Sequence, residues 1–364
     1  MPLALDQNTA LSFACLNFLT KKRYDFLLQE FETLEKAWTH LDQELLKKLG
    51  CKEDTILKLL NEKEELDLDQ HLTYMQKNNI ELLTIDDMDY PDELRNIADP
   101  PVFLFAKGNI ALLNEPSIAI VGTRAMSSYG KRVVEELVPA FVRAGLTTVS
   151  GLALGIDAEV AKETMHADGN TIAVLGHGLA AMYPRSNARL ADTIVEKNGL
   201  LLTEFPLQMR PDKYTFPSRN RIIAGLSLGT IVAEAADQSG SLITASLALE
   251  YGREVFAVPG QIFDKNYEGA HHLIIKGGAR LITNAEDILT ELGIVAPEAG
   301  KESTYHAQTP EEQTLLERLS SMPQSVNDLV EKSEISIALV NSTLTLMELK
   351  GGAKNVGMGM WVRL

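Results

Sequence analysis

Residues 117–151 read SIAIVGTRAMSSYGKRVVEELVPAFVRAGLTTVSG, and the fold is decided here. SIAIVG (117–122) is a short apolar run closed by glycine. YGKRVVEELVPAFVRAG (129–145) places apolar side chains at helical spacing and closes on another glycine. TTVSG (147–151) is apolar and β-branched again. A strand, a helix and a second strand in this order make a βαβ unit, whose two strands lie parallel in one sheet. Runs that are apolar throughout, without alternation, suit strands covered on both faces.

Downstream the pattern repeats. TIAVLG (171–176), LLTEF (201–205), LGTIVAEA (228–235) and EVFAVPG (254–260) read as strands, with helical stretches such as SLITASLALEYG (241–252) between them. The expected fold class is therefore α/β: a Rossmann-like parallel sheet with helices on both faces. Ligands of such sheets lie outside the carboxyl ends of the strands, so residues just after strands are the candidates for function.

The flanks differ. Residues 1–88 are read as helical, because Leu41, Leu45, Leu46 and Leu49, then Ile56, Leu57, Leu59 and Leu60, recur at helix spacing with almost no glycine. Pro91, Pro100 and Pro101 then punctuate the chain before VFLFAKG (102–108), a short strand. Residues 295–309 are polar and aperiodic, the pattern of a linker. In 310–364, TPEEQTLLERLS, SVNDLVEKS and SIALVNSTLTLMELKGG read as three helices ahead of a turn-rich end in WVRL, which suggests a winged helix. The expected domains are a helical domain at 1–88, an extended Rossmann-like domain at 89–294, the linker at 295–309 and a winged-helix domain at 310–364.

Charge constrains the partner. The formal net charge is −16. Residues 1–90 carry −8, 91–300 carry −6 and 301–364 carry −2, so no part is basic as a whole. Any phosphate contact must come from a local patch. Residues 205–223 supply one, with Arg210, Lys213, Arg219 and Arg221 against Asp212 alone. Cys15 and Cys51 are too few for a disulfide framework or a four-thiolate zinc site and read as buried thiols in a reducing compartment. There is no apolar run of spanning length, and no positive charge precedes the first apolar stretch. The expectation is a cytoplasmic protein with no membrane partner.

Four loops carry candidate chemistry. In VGTR, Gly122 closes a strand and Arg124 stands where a helix is about to begin, a position that offers free amides, a partial positive charge and a bidentate guanidinium for phosphate. In SGLALGID (150–157), Ser150 and Gly151 end the neighbouring strand, and Asp157 is placed to cap or to pair with an arginine. In KYTFPSRNRIIAGLS (213–227), Lys213, Phe216, Arg219 and Arg221 combine cations with an aromatic face, as single-strand binding requires. In EAADQSGSLITA (234–245), Gly240 and Ser241 stand at a helix start. Each loop also has a plain structural reading: a strand-end turn, solvated arginines around a core phenylalanine, and an N-cap serine. Tyr183 and Tyr214 are further candidate stacking rings, although such rings are more often packing.

Other chemistries find no motif. There is no GxGxxG, no GxxxxGK[ST] and no HExxH; GLSLG (225–229) leads into a strand and so is not a GxSxG elbow; and His271 and His272 are adjacent, a spacing that does not place two ligands on one helix face. No cofactor, no metal and no catalytic set is expected. Glu204 and Glu234, both at strand ends, are expected to pair with nearby arginines.

The ordered set VGTR, SGLALGID, TIAVLGHGL…YP, EFP, FPSRNRIIAGLS, VAEA…SGSLITA, EVFAVPG and LIIKGGARLI, across residues 90–292, closely resembles the DprA/Smf family of DNA processing proteins. The N-terminal segment resembles that family's SAM-like domain in size and helicity, and the C-terminal unit its winged helix. The resemblance implies a homodimer, not an enzyme, that grips single-stranded DNA by its phosphates, protects incoming strands in natural transformation and helps load the recombinase RecA. By motif it implies a phosphate pocket of Gly122, Arg124, Ser150, Gly151, Gly240 and Ser241, a groove lined by Lys213, Arg219 and Arg221, and a base contact from Phe216. His177 and the pair His271–His272 depart from the family pattern as we read it. The scattered basic residues of the C-terminal unit point to protein contacts. The competing reading is a nucleotide-processing enzyme of the phosphoribohydrolase-like Rossmann group. It is weakened because LGTIVAEAADQSGS lacks the PGG of that group's loop.

Overall fold

The structure is a computed structural model that describes residues 7–294, 305, 307–320, 323–357 and 359–363. Residues 295–304 and 306 of the expected linker lie outside the described residues. Nine strands form one sheet: β1 (Ile80–Thr84), β2 (Phe103–Gly108), β3 (Ser117–Gly122), β4 (Thr147–Ser150), β5 (Thr171–Val174), β6 (Leu200–Thr203), β7 (Gly229–Glu234), β8 (Glu254–Ala257) and β9 (Arg280–Leu281). Their order is β1-β2-β6-β5-β4-β3-β7-β8-β9. From β6 to β9 every pairing is parallel, and β1 and β2 extend the β6 edge as antiparallel strands.

The apolar runs behave as their composition requires. Successive residues of a strand point to opposite faces. Ile118 and Ile120 of β3 enter one core with Val134, Leu137 and Phe141 of the helix Ser128–Arg143. Ala119 and Val121 enter the opposite core with Ile222 and Ile223 of the helix Thr215–Leu226 and with Ala245 and Ala248 of the helix Gly240–Glu250. All four of these β3 side chains are buried, because helices cover both faces.

The winding places the site. From β3 the chain steps outward through β4, β5 and β6. The helix Thr215–Leu226 then carries it back to β7, on the other side of β3. Strand order thus reverses between β3 and β7. At such a switch point the two loops leaving the carboxyl ends diverge, and a crevice opens between them.

The N-terminal stretch forms the helices Gln7–Leu16, Lys21–Phe31, Leu34–Thr39, Gln43–Lys48, Glu53–Glu65 and Leu68–Asn78. Thr20, Thr33, Asp42 and Asp67 cap four of them by accepting amide hydrogens. One expectation needs correcting. Residues 80–84, inside the stretch read as helical, are strand β1. Asn79 takes a left-handed φ of 51° and ends the preceding helix, after which Ile80–Thr84 pairs with Phe103–Lys107. The sheet therefore begins before residue 88. Phe13, Leu27 and Ile56 of the helices share one core with Leu83 and Phe105 of the edge strands.

The C-terminal unit has the helices Pro310–Arg318, Val326–Ser333 and Ile337–Leu349 with a small sheet of β10 (Gln324–Ser325), β11 (Ala353–Gly357) and β12 (Met360–Arg363) in the order β10-β12-β11. Leu315, Leu329, Val340, Leu344, Met347 and Trp361 form its own core. Three helices and a hairpin are the winged helix read from the sequence. No helix among the described residues is long and apolar enough to cross a membrane.

Candidate nucleic-acid interface

A cleft of about 710 Å³ opens at the β3/β7 switch point. Three stretches meet there. Gly122, Thr123 and Arg124 leave β3. Lys213, Phe216, Arg219 and Asn220 come from the start of the helix Thr215–Leu226. Ser239, Gly240, Ser241 and Thr244 come from the start of the helix Gly240–Glu250. Ser239 caps that helix, its hydroxyl accepting from the Ser241 amide at 3.4 Å and meeting the Ser241 hydroxyl at 2.6 Å. A helix start with no acidic residue in its first turn, beside two exposed cations, Arg124 and Lys213, favours an anion.

The turn that carries Arg124 is braced by one residue. The Glu234 main-chain oxygen accepts from the Thr123 amide at 2.8 Å. The Glu234 carboxylate accepts from both the amide and the hydroxyl of Ser127 at 3.0 Å. Both ends of the turn are thus tied to β7. The Arg124 guanidinium lies over the Phe216 ring, 5.2 Å from its centroid, and the Tyr183 ring stands beside Phe216 at 5.9 Å.

Beneath the cleft is a buried ionic layer. Arg219 is 4% exposed and Asp157 is 7% exposed. Arg219 donates to the carbonyls of Gly151, at 2.7 Å, and Val174, and its Nε donates to Asn220 Oδ1 at 3.2 Å. Asp157 accepts from the amides of Gly151 and Ala153 at 3.2 and 3.4 Å. Burial lowers the Arg219 guanidinium to about 10, with Asp157 acting in the opposite direction. Burial pushes the Asp157 carboxyl up, while Arg219 and the Ala153 and Gly151 amides pull it down.

Residues 81–293 match the family of DNA recombination-mediator protein A, and residues 298–356 match the DprA winged helix domain. The first match alone spans more than half of the chain.

The chain belongs to the DNA recombination-mediator protein A (DprA/Smf) family.

Among its relatives, protein Smf of Escherichia coli is 40% identical over 307 residues, covering 82% of this chain and 81% of that protein. The DNA processing protein DprA of Bacillus subtilis is 47% identical over 222 residues, 61% of this chain and 74% of that protein. The solved DNA processing protein A of Streptococcus pneumoniae superposes with a TM-score of 0.66 at 38% identity, covering 79% of this chain and 98% of that one. The Helicobacter pylori protein, whose structure addresses its single-stranded DNA binding mode, gives a TM-score of 0.53 at 30% identity over 58% of this chain and 95% of that one.

Of the residues singled out from the sequence of this DprA-family chain, the structure gathers Gly122, Arg124, Lys213, Phe216, Arg219, Gly240 and Ser241 around the cleft. Ser150 and Gly151 lie under it. The Ser150 hydroxyl donates inward to the Asp157 carbonyl at 3.3 Å, and the amide and carbonyl of Gly151 are taken by Asp157 and Arg219. These two hold the floor and do not face the main cavity, although Gly151 borders a small side pocket of about 40 Å³ with Arg124 and Tyr183. Arg221 is away from the site. Two residues beyond Arg219 on the same helix, it turns to the opposite side and pairs with Glu204, with Asp99 at 3.5 Å. Arg219 itself belongs to the floor more than to the groove wall.

Sequence reading placed Glu204 correctly against an arginine. It did not find the brace from Glu234, which binds Ser127 instead. Nor did it name Ser239 as the cap, although a serine directly before Gly240 is the usual signal. His177 is buried, its ring bonding the Gly178 carbonyl at 2.8 Å and the Tyr183 backbone at 3.2 Å, so it sets the loop that carries Tyr183.

Proposed function

We propose that this chain binds single-stranded DNA by its phosphates in the β3/β7 cleft and acts as a recombination mediator. The observation that carries the reading is the convergence of Arg124, Lys213 and the helix start at Gly240–Ser241 on one crevice of an otherwise acidic protein. Arg124 is the fork for phosphate oxygens, and Phe216 beneath it fixes the fork in place. Lys213 supplies a second charge. The reading is of a binding site and not of an enzyme. The carboxylates that line the cleft accept backbone amides, Asp157 from Gly151 and Ala153 and Asp212 from Tyr214. We place the protein in the cytoplasm, protecting incoming strands in natural transformation and helping to load RecA, the role that its resemblance to the DprA/Smf family implies.

The test is binding to single-stranded and duplex oligonucleotides across a salt series. Affinity for the single strand should fall with salt, and Arg124→Ala or Lys213→Ala should weaken it and flatten the salt slope by about one unit each. Unchanged affinity in both variants sinks the site assignment.

A homodimer is part of the same proposal. Leu249 on the helix Gly240–Glu250 is 44% exposed, and Ile275 is 79% exposed. The backbone at Gly278 lies against Leu249, which joins the helix to the segment 273–282 in one apolar face. Light scattering should show a dimer, and Ile275→Glu should give the monomer.

A further inference from the structure

We propose that the strand held in the β3/β7 cleft leaves it over Arg210 and runs onto the N-terminal helices, where Lys22 takes a further phosphate. This second phosphate subsite rests on the single-strand reading above and lies outside the cleft, on a domain which that reading leaves without a task.

The path begins at the cleft wall. Pro211, Asp212 and Lys213 line the cleft, and Arg210 directly precedes them, exposed. The segment before it is fixed. The carbonyls of Leu207 and Met209 accept from the amides of Ala180 and Gly178 at 2.8 and 2.9 Å. Gly178 has no room for a side chain there, since a Cβ would lie 2.0 Å from the Pro206 oxygen. Arg210 thus stands at the rim on a fixed backbone. Among the described residues it has neither a carboxylate partner nor a place in the cleft wall.

The N-terminal helices meet the wall at the adjoining residue. Asn17 Nδ2 donates to Met209 Sδ at 3.6 Å. Asn17 takes a left-handed φ of 48° and turns the chain from the helix Gln7–Leu16 towards the helix Lys21–Phe31. The start of that second helix lies within about 14 Å of Asn17, the reach of the residues between. It carries Lys21, Lys22 and Arg23. Arg23 is occupied inside the domain: its guanidinium donates to the carbonyls of Phe18 and Leu49 at 2.7 and 3.0 Å and pins the helix start. Lys21 pairs with Asp25. Lys22 is exposed and has no ion pair among the described residues.

Charge on this side contrasts with the rest of the domain. Residues 1–90 carry −8, yet residues 7–24 hold Lys21, Lys22 and Arg23 and no carboxylate. Residues 205–217 hold Arg210 and Lys213 against Asp212 alone. Two positive segments in contact on an acidic protein make a track for a polyanion. The helices keep their place, because Phe13 and Leu27 share a core with Leu83 and Phe105 of the sheet edge. The backbone under these cations is therefore ordered before a strand arrives, which lowers the entropy cost of binding.

The experiment uses the full chain and two oligothymidylates. One, of about five nucleotides, occupies the cleft alone, and one, of about twenty, reaches past it; these lengths bracket the usual single-strand site sizes. The variants are Lys22→Ala, Lys22→Glu, Arg210→Ala and, for the cleft itself, Arg124→Ala. The unaltered chain should show a steeper salt slope on the long probe than on the short one. Lys22→Ala and Arg210→Ala should each flatten the slope on the long probe by about 0.7 and weaken binding about fivefold at about 0.1 M salt, the factor that such a slope gives over the decade below 1 M. Lys22→Glu should lose more. All three should bind the short probe as the unaltered chain does, and Arg124→Ala should weaken binding to both. The proposal is overturned if both Lys22 variants keep full affinity for the long probe, or if they lose the same factor on both probes, as a general effect of charge would require. A slope on the long probe no steeper than on the short one overturns it as well. Absence of binding to either probe by the unaltered chain sinks the single-strand reading itself, a result distinct from the loss of the outer subsite alone.

Discussion

The Arg219 guanidinium donates to the Gly151 carbonyl at 2.7 Å, joining the end of β4 to the helix Thr215–Leu226 under the cleft. A Cβ on Gly151 would fall 2.4 Å from this guanidinium, so the residue at 151 must be glycine for the arginine to lie flat on the chain. Arg219 therefore shapes the site from below.

A buried arginine of this kind is expected to act on folding before it acts on binding. Arg219→Ala leaves the buried carbonyls of Gly151 and Val174 without their donor and removes the largest charge offset to Asp157, at a cost of about 1–3 kcal/mol or more. Urea unfolding should show that loss. Arg219→Lys keeps the charge but not the fork, and should recover only part of the stability, because an ammonium cannot span the carbonyls of Gly151 and Val174 as a guanidinium does. Equal stability of Arg219→Ala and the unaltered chain contradicts the assignment.

Arg221 is the contrasting case. It and Glu204 are 12% and 13% exposed, and the helix turns them away from the cleft. Burial pushes the Glu204 carboxyl up, and Arg221 draws it back down. Arg221→Ala should destabilise the chain by about 3 kcal/mol through the unpaired carboxylate, and adding Glu204→Gln should return part of that loss. Single-strand affinity, measured below the melting transition, should stay unchanged in both. A drop in affinity as large as that of Arg124→Ala returns Arg221 to the groove.

These two arginines show what the sequence could carry. The motif SRNR announced two cations near a strand end, and the composition was right. Two residues of helix rotate the side chain by about 200°, so one went to the floor and the other to the far side. Only the packing of the helix against β4 and β5 decides which. By contrast, SIAIVG announced a strand covered on both faces through composition alone, and Ile118, Ala119, Ile120 and Val121 are all buried. The loops after β3 and β7 were legible because the switch-point rule concerns topology and not side-chain direction. Strand β1 was missed for a local reason: IELLT is five residues long, follows a helix directly and owes its state to β2, some twenty residues on.

Gly240 separates binding from folding in the other direction. An added Cβ there meets nothing within 4 Å, and the residue opens a helix. Gly240→Ala should leave stability unchanged or raise it by up to about 1 kcal/mol. The methyl group stands where a phosphate would approach the first amides, so single-strand affinity should fall. Calorimetry and a filter-binding titration on one preparation read both quantities. A variant that binds as tightly as the unaltered chain removes the helix start from the site.

The winged-helix unit carries its own pH dependence. Glu312, 2% exposed, accepts from Lys350 Nζ at 2.7 Å and from the Gln308 amide at 2.7 Å. Lys350 first, then that amide, hold its carboxyl down at about 2. An unfolded glutamate titrates near about 4.3. The folded value is the lower one, so the stabilisation is complete above the unfolded pKa and is lost as pH falls from about 4.5 towards 2. Trp361 lies in the core of this unit and Trp38 in the N-terminal helices, and the chain has 2 tryptophans, so Trp38→Phe leaves Trp361 fluorescence as its reporter. In that background the unfolding midpoint should drop between pH 4.5 and 3. With Glu312→Gln the midpoint should be lower at neutral pH and the drop smaller. An equally steep fall in the glutamine variant would mean that other carboxylates set the acid sensitivity of this unit.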